Sequence, residues 1–137
     1  MLQNRKTVVS VTLAMIILAL LASVGSQIVN DKPAPKVIKI DMQGQDYVSL
    51  LAGPPESILL RSGAVALQPG KTVGKHNTAG YEELVIVLEG EGTMVLNNQQ
   101  LNMKVGTVLY CPPETEHDVQ NTGANVLKYI YVVAKTK

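Results

Sequence analysis

The chain has 137 residues, a formal net charge of +1, one cysteine, five tyrosines, and neither tryptophan nor phenylalanine. A single cysteine excludes an internal disulfide whatever the compartment. Between Glu82 and Asp118 seven acidic residues stand against one basic residue, Lys104; with no basic patch and no aromatic stacking platform, nucleic acid is excluded as a partner.

Residues 1–26, "MLQNRKTVVSVTLAMIILALLASVGS", begin with Arg5 and Lys6, run apolar from Val8 to Val24 apart from Ser10, Thr12 and Ser23, and close on small residues. A basic start, an apolar middle and a small-residue end form the pattern of a secretory signal peptide. Cleavage after Val24-Gly25-Ser26 would leave Gln27 first. The alternative is an uncleaved N-terminal membrane anchor, since about 17–20 apolar residues can just cross a bilayer. A buried core helix is the third reading, and the segment lacks the amphipathic pattern for it. The basic residues precede the segment, so the expectation is export to the periplasm or cell envelope. Cleavage is preferred over anchoring, and any membrane contact would run through residues 1–26.

Residues 27–36 contain Pro33 and Pro35 around an alanine and read as an extended linker. The domain proper is expected over 37–137, a length that can bury a core without disulfide or metal staples. Short runs rich in Val, Ile and Leu follow, separated by Gly, Pro and Asn: "KVIKID", "SILLRSGAVALQPG", "ELVIVLEGEGTMVLNNQQLNMKVGTVLYCPP" and "VLKYIYVVAK". That punctuation predicts an all-β domain, and a closed barrel or jelly roll is the economical arrangement because closure removes exposed edges. "TMVL-NN-QQLNM" predicts a hairpin turning at Asn97 and Asn98. "LVIVL" is apolar on both alternating faces and predicts a strand buried on both sides. "GQDYVSLL" is the one stretch with a briefly helical pattern.

The chain has two histidines, His76 and His117. Either one alone reads as a structural residue, His76 after a turn and His117 at a strand end. Their surroundings alter that. Around the first the spacing is Gly70, five residues, His76, one residue, Thr78, four residues, Glu83, six residues, Gly90. Around the second it is Gly106, five residues, Pro112, one residue, Glu114, two residues, His117, three residues, Asn121.

These runs resemble the two motifs of the cupin superfamily, G-x5-H-x-H-x3,4-E-x6-G and G-x5-P-x-G-x2-H-x3-N. Eight of the ten fixed positions match, and the short stretch Glu91 to Val105 between them is similar to that of small single-domain bacterial cupins. The resemblance implies a double-stranded β-helix barrel and places both histidines at metal-ligand positions. Strand alternation fits Glu83 to an inward, ligating role and turns Glu82 elsewhere. Two positions depart from the pattern. Glu114 replaces a turn glycine, and Thr78 replaces the second ligating histidine.

What remains is His76, Glu83 and His117. Two imidazoles and one carboxylate suit a divalent transition metal (Fe, Mn, Ni or Zn) with open positions for a ligand. The expectation is that metal is retained despite Thr78; the alternative is a pocket that works without one. Cys111 reads as a small core residue, with a thiol near the metal as the alternative. Tyr129 and Tyr131 share one face of the last strand, for core packing or a dimer surface. No acid/base pair is assigned; Tyr81 and Glu82 are the nearest candidates, and both also read as rim residues.

One barrel hosts many functions. The resemblance therefore implies either a small metal-dependent enzyme of oxygenase or isomerase type, or a non-catalytic envelope protein that binds or senses a small molecule with structural metal or none. A homodimer is the further expectation.

Overall fold

The computed structural model describes residues 32–136. The signal peptide or anchor expected over 1–26, and residues 27–31 of the linker, lie outside them. Nine strands follow: β1 (Tyr47–Leu51), β2 (Leu60–Leu67), β3 (His76–Asn77), β4 (Tyr81–Glu89), β5 (Glu91–Leu96), β6 (Gln99–Lys104), β7 (Val108–Cys111), β8 (Glu116–Gln120) and β9 (Leu127–Lys135). One sheet runs β1-β2-β9-β4-β7 and the other β3-β8-β5-β6. All strand pairs are antiparallel. The crossovers between strands distant in sequence make this the expected all-β jelly roll.

The inner faces follow from period-two alternation. β4 turns Glu83, Val85 and Val87 inward, and β5 does the same with Met94 and Leu96. With Met103, Leu109, Cys111, Val119, Leu127 and Tyr129 they form one core drawn from both sheets. Burying a side chain such as Met94 or Leu127 contributes about 1.5–3 kcal/mol. The β5–β6 hairpin turns as expected, with Asn97 at φ 49°. Gly90 takes φ 74°, and a Cβ there would collide with the Val126 carbonyl. Asn121, only 2 % exposed, donates to the carbonyls of Leu67 (2.7 Å) and Asn125 (2.8 Å) and accepts from the Gly123 amide (3.0 Å). The asparagine of the second motif is thus a knot tying three chain segments.

Three sequence expectations are corrected. "GQDYVSLL" holds β1, because Tyr47–Leu51 finds a partner in β2 and tertiary pairing overrides a weak helical pattern. "KVIKID" forms no strand; Val37 is 92 % exposed and no neighbouring edge accepts the segment. β4 is buried on one face only, since Leu84 and Leu88 lie on the outer side of the five-stranded sheet and remain exposed.

Candidate metal centre

The two sheets meet at the site. β3 pairs with β8 so that His76 stands directly opposite His117. Opposite residues share a face, and their rings lie 4.2 Å apart at 56°. From the other sheet, β4 delivers Glu83, whose cross-strand partner on β7 is Cys111. His117 is 2 % exposed and Glu83 7 %, whereas His76 sits on the exposed side. Only one of the two imidazoles is therefore buried. Ligand atoms from His76, Glu83 and His117 all lie within 4.8 Å of one another.

The backbone fixes which ring nitrogens are free. Nδ1 of His76 lies 2.9 Å from the Gly74 carbonyl, and Nδ1 of His117 lies 3.1 Å from the Thr115 carbonyl. A carbonyl can only accept, so each Nδ1 carries a proton, and the neutral form of each ring leaves Nε2 bare. Metal-ligating histidines are held in this way, with the second ring nitrogen donating to a fixed acceptor.

His117 Nε2 then lies 3.1 Å from Glu83 Oε2, yet it is buried with no in-line hydrogen-bond partner. Two lone pairs facing each other in a dry site are unfavourable unless a proton or a cation stands between them. Without a cation, the Glu83 carboxylate pulls the His117 pKa above its usual value, against burial and with help from the Thr115 carbonyl and the charges of Glu83 and Asp118. Two imidazoles and a carboxylate fit a divalent transition metal, and this orphaned nitrogen is the structural observation that favours one.

Sequence reasoning separated the two glutamates correctly: Glu82 accepts from the Tyr110 hydroxyl at 3.1 Å, away from Glu83 and the histidines. Thr78 lines the cavity as expected, but its hydroxyl is committed to the Tyr81 carbonyl at 2.8 Å. Tyr81 itself lies beneath the Arg61 guanidinium, 5.6 Å from its ring centre. Glu114 holds φ 56° where the motif has glycine, so the turn demands the left-handed region and a side chain tolerates it. Cys111 is fully buried, with Sγ 3.3 Å from Nδ1 of His117, the nitrogen turned away from Glu83. Burial and Glu83 push its thiol up to about 11, so it packs as a neutral core residue.

Three features were missed. Asp118, 4 % exposed, accepts from the Gly74 amide (2.9 Å), from the Thr72 hydroxyl, and from Gln120 Nε2 (2.9 Å). It thereby braces the loop whose Gly74 carbonyl orients His76. Tyr47 of β1 joins Tyr131 over Gly63, hydroxyl to hydroxyl at 3.0 Å. A cavity of about 450 Å³ opens over the three ligand residues, walled by Val65, Val119, Val133 and the tyrosines. The adjacency of Asp118 to His117 was the only sequence signal for any of these. Two larger clefts, of about 550 and 610 Å³, are surface grooves; among the described residues neither gathers a ligand set, so chemistry rather than volume singles out this cavity.

The "Cupin domain" family profile matches residues 63–133, which contain His76, Glu83 and His117. The chain belongs to the cupin family. Among curated proteins, this cupin is 41% identical over 56 residues to an uncharacterised Methanocaldococcus jannaschii protein, covering 41% of this chain and 43% of that one. It is 33% identical over 67 residues to an oxalate-binding protein of Thermotoga maritima, covering 49% of this chain and 55% of the other. The chain thus spans about half the length of these curated relatives. A Thermotoga maritima crystal structure described as a predicted oxalate decarboxylase superposes with a TM-score of 0.61 at 28% identity, over 65% of this chain and 78% of that one.

Proposed function

We propose that this cupin is an exported protein that holds a divalent transition metal (Fe, Mn, Ni or Zn) through His76, Glu83 and His117 and presents it to a small molecule in the cavity above. One observation carries the reading: each Nδ1 faces a backbone carbonyl, and one ligand atom from each imidazole and one from the Glu83 carboxylate lie within 4.8 Å of one another. The oxalate-binding relative supports a small-molecule ligand. A bound metal would supply Lewis-acid or dioxygen chemistry. The chain's own residues orient that centre. Thr115 and Gly74 orient the imidazoles, Asp118 braces the Gly74 loop, and the valines give the cavity apolar walls.

Binding without turnover is the second reading, favoured by the protonation of the cavity groups. Tyr129 and Tyr131 are held above the usual phenol range, by burial first and, for Tyr131, by the Tyr47 hydroxyl next. Neither phenol is thereby tuned toward neutral pH. Export is supported by the basic residues Arg5 and Lys6 ahead of the apolar run. A homodimer is supported by the outer face of β4 and β7, where Leu84 pairs with Tyr110 and Ile86 with Val108. Leu84 (41 %), Val108 (60 %) and Tyr110 (51 %) remain exposed there, and a second copy would cover them.

The test is metal content by mass spectrometry of the full chain purified under nitrogen, beside His76→Ala and His117→Ala. Near one metal per chain, lost in both variants, is expected. Metal far below that in the wild type after reconstitution would refute the reading.

A further inference from the structure

The residues around the candidate centre constrain the charge of what can bind there. A divalent ion with Glu83 leaves one positive charge to balance. Among the described residues lining the cavity there is no lysine or arginine. Arg61 shares the inward alternation of β2 with Gly63 and Val65, but its guanidinium lies over the Tyr81 ring, 5.6 Å from the ring centre, and it does not line the cavity. Beyond the ligand triad, the lining offers few free polar groups. The Thr78 hydroxyl is given to the Tyr81 carbonyl. The hydroxyls of Tyr47 and Tyr131 bond each other, which uses one of their two protons and leaves one O–H to donate. The remaining walls are valines and the buried Tyr129, whose phenol adds a further O–H.

A monoanion would neutralise the centre. A dianion such as oxalate would leave a net negative charge against apolar walls that include no lysine or arginine, and charge without a partner is disfavoured where the ligand displaces water. The volume of about 450 Å³ lies in the range of small-molecule sites and far exceeds what a two-carbon acid fills. Apolar surface in the ligand would be matched by the valines. Resting on the metal reading above, we infer that the ligand is a monoanion with one oxygen-donor group for the metal and an apolar body against the valine and tyrosine walls, and that oxalate itself is disfavoured.

The probes are benzoate, acetate and oxalate, titrated calorimetrically into the zinc-loaded full chain at fixed ionic strength. Zinc is counted before and after each titration, since oxalate is itself a chelator. Benzoate is expected to bind at least tenfold more tightly than either acetate or oxalate. The variant Val73→Lys places a cation at the cavity mouth, where the wild-type residue is 47 % exposed and tolerates the change. It is expected to shift the benzoate-to-oxalate ratio at least tenfold toward oxalate. With zinc retained, the inference is overturned by oxalate binding as tightly as benzoate, by benzoate gaining nothing over acetate, by no binding at all, or by an unchanged ratio in Val73→Lys. Failure to hold zinc would instead refute the metal reading, and this inference with it.

Discussion

Asp118 touches neither His76 nor Glu83, yet its removal should weaken metal binding. Its Oδ1 accepts the Gly74 amide at 2.9 Å, and the carbonyl of the same glycine takes the Nδ1 proton of His76 at 2.9 Å. Asp118→Ala frees the Thr72 hydroxyl and leaves the Gly74 amide only that unanchored hydroxyl, at 3.0 Å, as acceptor, so the carbonyl that sets the tautomer and direction of His76 is held less firmly. Loss of a group that orients a ligand costs about 10–100-fold in metal affinity, or roughly 1.4–2.7 kcal/mol. The Thr72 hydroxyl, left without its acceptor, adds a stability cost of about 1–3 kcal/mol, at the low end because water reaches this loop. Asp118→Asn keeps one carbonyl oxygen for the Gly74 amide and should fall between alanine and wild type. Competition with a chromophoric zinc chelator measures the affinity, and thermal unfolding of the metal-free protein measures stability separately. A purely structural aspartate would lower the unfolding temperature and leave the zinc dissociation constant unchanged; that result would refute the bracing argument.

Three further outcomes follow from the geometry. The raised His117 pKa comes from the Glu83 contact first, so in metal-free protein the pair's contribution is fully present below the unfolded value of 6.5 and is lost as pH rises through the higher folded value. Metal needs the bare Nε2, so the difference in unfolding temperature between zinc-loaded and metal-free protein should widen with pH from about 5.5 to 8, and a constant difference would contradict the assignment. Gly63→Ala would place a Cβ 2.7 Å from ring carbons of both Tyr47 and Tyr131, costing about 1–3 kcal/mol by overpacking; an unchanged midpoint in urea would show that the rings yield freely. Val108→Lys puts a charge on the exposed outer face of β7 and should halve the mass seen by light scattering, unless the wild type is already monomeric, in which case that face is no dimer surface.

The fold and the convergence of His76, Glu83 and His117 were legible in the sequence because both rest on spacing. Strand alternation distinguishes Glu83 from Glu82 without coordinates, and the glycines at 70, 90 and 106 mark turns that take φ of 73°, 74° and 81°. Pairing partners were not legible. Tyr47–Leu51 and "KVIKID" both carry β-favouring residues, but only the first pairs with β2. The apolar outer face of β4 read as buried because sequence records apolarity, not the absence of a covering layer within the same chain. The cavity walls stayed hidden for a related reason. Tyr47 and Tyr131 are 84 positions apart and meet only because β1 and β9 flank β2.

X-ray absorption at the zinc edge of the loaded full chain addresses the central claim most directly. The account predicts a first shell of nitrogen and oxygen at about 2.0–2.2 Å with the outer-shell pattern of two imidazoles. A sulfur shell near 2.3 Å, which would bring Cys111 into the site, or an all-oxygen shell without imidazole would contradict it.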